Sequence, residues 1–201
     1  MDAAVEETPA GPGRRLRADR RRLEIALAAG RLFAERGYAA TRLEDVAAAA
    51  GVTKPIVYRH FGSKKGLYLT LLRRHEEDLP GFFEGLELPA DASPRELIRA
   101  VLDAWLDYTR ANAHAWEMLF RDASGDEEIR GVRAEVSVRA IEVLSGFLAA
   151  VGTMPAEQRT PAAVLLSQGL AATIVWWNDN PDVGKATIAA VAERVAFSVL
   201  D

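Results

Sequence analysis

The chain has 201 residues, 49% of them apolar, which is enough for a folded core and excludes disorder throughout. It contains no cysteine, which excludes disulfides, thiolate metal sites and cysteine catalysis. The net charge of -4 is unevenly divided, because residues 1–75 hold 15 Lys or Arg against 8 Asp or Glu, whereas the remainder holds 10 against 21. A basic N-terminal third on an acidic body is typical of a DNA-binding head, with chance clustering of surface charge as the alternative.

Segments that would insert into a membrane or direct secretion are not evident. The sequence has no run of about 18 uncharged apolar residues, and its start lacks a basic segment followed by an apolar core. We therefore expect a cytoplasmic protein with no membrane partner.

Residues 1–18 contain Pro and Gly and few apolar side chains, so we predict a flexible tail. The end of this tail and the residues after it are basic, with Arg14, Arg15, Arg17, Arg20, Arg21 and Arg22. These arginines would contact phosphates or a minor groove beside a DNA-binding domain, and a solvated basic segment is an equally good interpretation.

Residues 19–66 are predicted to form a small helical domain. Apolar residues recur at helical spacing over 19–36, which indicates a first helix. A short second helix follows, and we expect Thr41 to cap it in a capping box with Glu44. Gly51 is expected to end this helix in the left-handed conformation.

A short third helix is predicted after this turn, with Thr53 as its cap and Pro55 in its first turn. Val57 and Phe61 lie four residues apart and are expected to face inward. The outward positions are left to Lys54, Ile56, Arg59 and His60, with Tyr58 at one edge. Two short helices joined by a tight turn are typical of proteins that place the second helix in the major groove of DNA.

The segment LFAERGYAATRLEDVAAAAGVTKPIVYRHFGSKKGLYLTLL resembles the N-terminal domain of the TetR family of bacterial transcriptional regulators, and the resemblance covers residues 23–72. The matching positions are Leu32-Phe33, Gly37-Tyr38, Thr41, Ala50-Gly51-Val52, Tyr58, His60-Phe61 and Lys64. Lys65 departs from the family pattern, in which an acidic residue often follows the lysine.

The resemblance implies two sets of DNA contacts. Phosphates would be held by Thr41, Tyr58, His60 and Lys64, whereas Thr53, Lys54, Pro55, Ile56 and Arg59 would approach base edges. Lys64 also lies in the first turn of a fourth helix that Ser63 is expected to cap, where free backbone amides favour an anion. For Tyr58, a place in the core of the head is the alternative.

Residues 67–201 show helical spacing without strand alternation, so we predict an all-α fold with a three-helix head and a larger C-terminal helical domain. The fourth helix is expected to break at Pro80-Gly81. The candidates for an apolar ligand cavity are Trp105, Tyr108, Trp116, Met118 and Phe120, with a plain core as the alternative. The resemblance implies a small-molecule effector, and these side chains suggest an apolar or aromatic one.

The last two helices are predicted over 158–177 and 181–199. Each carries an apolar stripe, formed by Leu165, Leu166, Gly169, Ala172 and Trp176 on the first and by Ile188, Val191, Val195 and Val199 on the second. The resemblance implies that these helices pair with their copies in a homodimer. Burial within one protomer is the competing interpretation.

Catalytic sets, metal motifs and cofactor motifs are not apparent, so we expect no enzyme, no metal and no cofactor. The sequence and the resemblance together predict a homodimeric, ligand-responsive transcriptional regulator, in the first place a repressor that binds a palindrome in double-stranded DNA. An activator of the same fold is the alternative. From another class, the alternative is a helical small-molecule binder or enzyme whose basic head contacts an acidic protein.

Overall fold

The computed structural model describes residues 12–88, 91–121, 125–152 and 154–200. Every regular element in these ranges is helical, which confirms the all-α class. The helices are α1 (Pro12–Ala40), α2 (Leu43–Ala49), α3 (Lys54–Phe61), α4 (Lys64–Glu84), α5 (Pro94–Ala111), α6 (Ala113–Trp116), a π-helical turn (Glu117–Arg121), α7 (Glu127–Val151), α8 (Ala156–Asp179) and α9 (Lys185–Leu200).

The first helix begins earlier than the sequence predicts. It starts at Pro12, so the predicted flexible tail is wrong for residues 12–18, whereas residues 1–11 lie outside the described part of the chain. Pro12 occupies the first position of the helix, where its missing amide hydrogen breaks no helical bond, and the arginines that follow are good helix formers. Gly37 interrupts the helix with φ 75° and ψ 167°, a conformation that favours glycine.

The fourth helix also continues past its predicted break at Pro80-Gly81 and ends at Glu84. Aromatic packing holds this last part in place. The ring centroid of Phe82 lies 5.2 Å from that of Trp105, and the ring centroid of Phe83 lies 6.5 Å from that of Phe147.

The head consists of α1, α2, α3 and the first turns of α4 around a common core. Phe33, Val46, Val57 and Phe61 are buried in it, which confirms the inward positions predicted for α3. Gly51 ends α2 with φ 63°, as expected for a left-handed turn residue. These contacts determine which side of α3 faces outward.

The capping box predicted for α2 is wrong. Thr41 is 1% exposed, and its hydroxyl donates to the carbonyls of Leu32 (3.1 Å) and Gly37 (2.8 Å). The residue that precedes the helix is Arg42, which makes no side-chain cap. Because the backbone turns at Gly37, the Thr41 side chain points back towards α1. Glu44 therefore does not form a capping box with it.

A buried polar contact joins the head to the body. The Tyr68 hydroxyl on α4 donates to the Met118 carbonyl in the π-helical turn at 3.1 Å. Arg133 on α7 donates through Nη2 to the Tyr68 oxygen (2.8 Å) and to the Met118 carbonyl (2.6 Å). Around this contact the head core continues into Ile129 and Val132, while the domain boundary at residue 66 remains a prediction.

Lys65 forms a second link between the head and the body. Its ammonium lies 2.8 Å from the Glu128 carboxylate and 3.5 Å from that of Asp126, at the start of α7. These ion pairs raise the pKa of Lys65, first through the hydrogen bond to Glu128. Lys65, the basic residue that departs from the family pattern, therefore contacts the body of the protein.

The body is built from α5 to α9, with α7 packed along α8 and α5 against α9. Leu106 of α5 and Ile174 and Trp177 of α8 are buried in one cluster with Trp116 of α6 and Ile188 of α9. By length and composition α8 is apolar enough to cross a membrane. The mean hydropathy of its most apolar 18-residue stretch is 1.2, and 33% of that stretch is buried. A helix with one side in a protein core meets the same criteria.

Replacing Tyr68 by phenylalanine should lower the free energy of unfolding by about 1–2 kcal/mol, because Arg133 and the Met118 carbonyl lose a buried partner. Urea unfolding followed by circular dichroism measures this change. The control is Tyr58→Phe, which removes a hydroxyl from a side chain that is 45% exposed. Equal stability of the two variants would contradict the importance of the contact.

Candidate nucleic-acid interface and effector cavity

The outward side of α3 presents polar and basic groups. Thr53, Pro55 and Arg59 are exposed, and Tyr58 is 45% exposed, which excludes the alternative that Tyr58 belongs to the core. Ile56 is half-buried and packs against the head core. The surface formed by Thr53, Lys54, Pro55, Tyr58 and Arg59 is called the α3 face below.

Lys54 at the start of this face is already paired. Its ammonium lies 2.5 Å from the Glu44 carboxylate on α2 and 5.6 Å from the Tyr58 ring centroid. The hydrogen bond between Lys54 and Glu44 lowers the pKa of Glu44 and raises that of Lys54, so both groups are charged at neutral pH. Glu44, predicted as part of the capping box, thus connects α2 to α3.

Lys64 is partly buried, and its phosphate contact stays a prediction. It begins α4, whose N-terminus is capped by the Ser63 hydroxyl accepting from the Gly66 amide at 2.9 Å, as predicted. The Lys64 ammonium donates to the Ala39 carbonyl (3.0 Å) and lies 4.6 Å from the Tyr38 ring centroid. These contacts hold the positive charge beside the junction of α1 and α2.

The phosphate contact predicted for Thr41 conflicts with its burial, since the hydroxyl already donates within the head. Its neighbour Arg42 is exposed at the N-terminus of α2, where the helix dipole adds positive potential. Sequence reasoning missed Arg42 because it assigned the cap to Thr41. The available signal was a basic residue immediately before a short helix.

His60 is partly buried at the end of α3. Burial lowers its pKa, and the nearby charges of Arg59, Arg22 and Arg21 lower it further. Arg22 donates to the His60 carbonyl at 3.0 Å and lies 4.8 Å from the Phe61 ring centroid. Arg22 therefore connects α1 to α3, whereas a DNA contact by the other N-terminal arginines stays a prediction.

A cavity of about 240 Å³ lies within the body. Four of the five predicted residues, Trp105, Tyr108, Trp116 and Phe120, line it. Met118 does not, because it lies two residues from Trp116 and from Phe120 and so faces the opposite side of the helix, where it is buried in the core shared with the head. Aliphatic side chains from α5, α7, α8 and α9 form most of the remaining wall.

His75 on α4 is one of the few titratable groups in the cavity wall. Its ring centroid lies 6.3 Å from that of His114 on α6. Burial lowers the pKa of His75 to about 4, and the charges of His114 and Arg74 act in the same direction. His75 is therefore neutral at physiological pH.

The stripe predicted for a dimer is mostly exposed. Leu165 is 69% exposed, and Gly169, Ala172, Trp176, Val191 and Val195 are exposed as well; we call these six residues the α8–α9 face. Leu166 and Ile188 do not belong to it, because both are buried within the protomer. Leu166 follows Leu165 by one residue, which rotates it by about 100° toward the core. The Val199 side chain lies outside the described part of the chain.

Within the described ranges, no group of three or more His, Asp or Glu side chains is arranged to hold a metal ion.

Residues 25–71 match the family model of bacterial regulatory proteins, tetR family. Over 139 residues the chain is 34% identical to the transcriptional activator FasR of Mycolicibacterium smegmatis, covering 67% of this chain and 63% of FasR. The chain belongs to the TetR family. It is also 37% identical over 84 residues to the repressor KstR2 of Rhodococcus jostii, covering 42% of this chain and 36% of KstR2.

The chain therefore aligns with less than two thirds of the length of these two relatives. Among solved structures, FadR of Bacillus subtilis in complex with stearoyl-CoA has the same fold, with a TM-score of 0.69 and 17% identity. That match covers 89% of this chain and 97% of FadR. The helical body, which the family model does not reach, thus has the fold of a solved regulator.

Acidification should destabilise the protein through His75. The unfolded-state pKa is near 6.5 and the folded-state value is about 4, so only the unfolded chain takes up this proton as the pH falls from 6.5 to 4. We expect His75→Leu to lose about 2 kcal/mol less unfolding free energy than the wild type between pH 7 and 4.5. Urea titrations at each pH test this, and parallel curves for the two proteins would contradict it.

Proposed function

We propose that the protein is a homodimeric transcriptional regulator that binds a palindromic site in double-stranded DNA through the α3 face. The observation that carries this proposal is that burial of Val57 and Phe61 turns Tyr58 and Arg59 outward on a short helix. Arg42 and Lys64 lie at the starts of α2 and α4, where exposed or first-turn cations favour phosphate contacts. A helix in this setting suits the major groove.

The α8–α9 face supports the dimer. Leu165, Trp176, Val191 and Val195 leave apolar surface in water, and the glycine and alanine between them allow close helix packing. A pair of such faces would form a four-helix interface with two-fold symmetry. This symmetry would present two copies of α3 to successive major grooves of a palindrome.

An effector in the apolar cavity would control DNA binding. Trp116, Leu119 and Phe120 line the cavity, and the Met118 carbonyl within the same segment accepts from Tyr68 on α4. A ligand that favours a shifted position of this segment would move α4 and with it the head. It acts only through its different affinity for the two positions.

The direction of regulation is proposed to be repression, relieved when the effector binds in the cytoplasm. KstR2 is named a repressor, which supports this assignment, whereas FasR is named an activator. Activation by the same fold is therefore the second candidate. FadR of Bacillus subtilis was solved in complex with stearoyl-CoA, which is consistent with a long apolar effector here.

Selection of bound sites from a random duplex pool tests the proposal, and we expect a palindrome. On the selected site, log affinity falls with log salt. Arg42→Gln and Lys64→Met should each make this negative slope shallower by about 0.9 per protomer, because each removes a phosphate contact. Tyr58→Phe should weaken binding to all sequences. Fluorescence anisotropy at several salt concentrations measures both effects.

The matched control is Arg99→Gln, which removes one positive charge from an exposed ion pair with Glu193 in the body. Its affinity and salt slope should equal those of the wild type. Enrichment of no sequence, together with unchanged slopes for Arg42→Gln and Lys64→Met, would refute DNA recognition by the head. The hypothesis of an acidic protein partner would then replace it.

A charge in the α8–α9 face should separate the protomers. Leu165→Glu would bury two carboxylates against apolar surface in each dimer, so we expect the dissociation constant of the dimer to rise about 100-fold or more. Sedimentation velocity measures this constant. Val138→Glu, at a 55% exposed position on α7, is the control and should leave the dimer intact. An unchanged dimer in both variants would locate the interface elsewhere.

A further inference from the structure

Two spaces, one in the body and one between the head and the body, share α6 and the π-helical turn as a common wall. On one side, Ala115, Trp116 and Phe120 line the apolar cavity. On the other side, His114 and Glu117 of the same segment line an open cleft of about 400 Å³. Only about one helical turn of backbone therefore separates an apolar space from a polar one.

The cleft lies between the head and the body and is lined by charged groups from both. Arg31 and Glu35 come from α1, and Arg110 comes from α5. Glu117 is already engaged, because its carboxylate lies 2.9 Å from Arg121 Nε and accepts from the Asn178 amide at 3.2 Å. The charges that remain for a ligand are two guanidinium groups and the single carboxylate of Glu35.

Arg110 has a defined place in the cleft wall, since its guanidinium carbon lies 4.3 Å from the Trp177 ring centroid. Stacking on an aromatic ring leaves the edge of a guanidinium free to donate in its own plane. Arg31 is exposed on α1, across the cleft. Planar guanidinium groups are suited to carboxylate and phosphate oxygens.

A pair of histidines lies between the two spaces. His75 lines the apolar cavity, His114 lines the cleft, and their ring centroids are 6.3 Å apart. Gly30 allows α1 to approach this point, because a Cβ atom there would lie 3.0 Å from His114 Cδ2. Burial lowers the pKa of both histidines, so neutral imidazoles stand between the cavity and the cleft at pH 7.

We propose that the effector is an amphiphile whose apolar chain fills the cavity and whose carboxylate or phosphate lies in the cleft between Arg31 and Arg110. Because His75 and His114 stand between the two spaces, their rings separate when the ligand binds and the chain passes between them. This inference rests on the proposed effector role of the cavity and adds the chemical class of the ligand. An anion held there joins α1 of the head to α5 of the body, so the charged group as well as the chain sets the position of the head.

Isothermal titration calorimetry with decanoate, decyl phosphate and uncharged 1-decanol tests the proposal on the full chain. We expect the two anions to bind at least about tenfold more tightly than the alcohol, and their order distinguishes a carboxylate site from a phosphate site. Arg31→Gln should weaken both anions about five- to tenfold and leave 1-decanol unchanged.

Glu35→Gln is the variant of opposite sign on the same helix. Removing this carboxylate should strengthen anion binding about two- to fivefold, since a like charge is lost from the cleft. If the substitutions only loosened the head, both Arg31→Gln and Glu35→Gln would weaken the binding of the anions, and the binding of 1-decanol would weaken equally. Arg20→Gln, at an exposed ion pair with Glu24 on α1, is the neutral control.

Equal binding of all three probes, with no effect of Arg31→Gln or Glu35→Gln, overturns the anion site and leaves an apolar effector in the cavity. Binding of none of the probes overturns the anion site and the apolar effector together. DNA recognition is tested separately by the selected site and its salt slopes, so its failure is distinguishable from either result.

Discussion

The hydrogen bond from the Tyr68 hydroxyl to the Met118 carbonyl is the constraint on which the arrangement of the protein depends. Both groups are buried, and Arg133 donates to each of their oxygens. Separating them without new partners would leave polar groups unsatisfied in the core, at a cost of about 1–3 kcal/mol each. The head and the body are therefore held together by a directional contact as well as by apolar packing.

Through this contact the cavity lies close to the head, because Leu119 in the cavity wall follows Met118, whose carbonyl accepts from Tyr68. Trp116 and Phe120 face the cavity, while Met118 between them faces α4, because side chains two residues apart on a helix point to opposite sides. The segment also forms a π-helical turn. π-Helical turns are uncommon and occur frequently at functional sites. A small displacement of the aromatic wall would reach α4 through the Met118 carbonyl. In the proposed function, this is a short physical route from the effector to the helix that contacts DNA.

Several cations on the surface of the head are paired with groups of the protein itself. Lys54 pairs with Glu44, Lys65 pairs with the start of α7, and Arg22 holds the end of α3, so three cations of the basic region have structural partners. Arg42 and Arg59 remain exposed. Net charge alone would have counted all five as equal contributors to the proposed DNA binding, whereas the structure divides them into three with partners and two that are exposed.

The sequence by itself determined the helical class, the turn at Gly51, the inward positions of Val57 and Phe61 and the cap at Ser63. Each depends on the spacing or the backbone conformation of neighbouring residues, which is local information. The tertiary structure alone decided that Thr41 points inward, that Met118 leaves the cavity wall for the head core and that Leu166 and Ile188 are buried within the protomer. A helical stripe shows that two residues share a face, but which neighbouring helix covers that face depends on contacts between segments far apart in the chain.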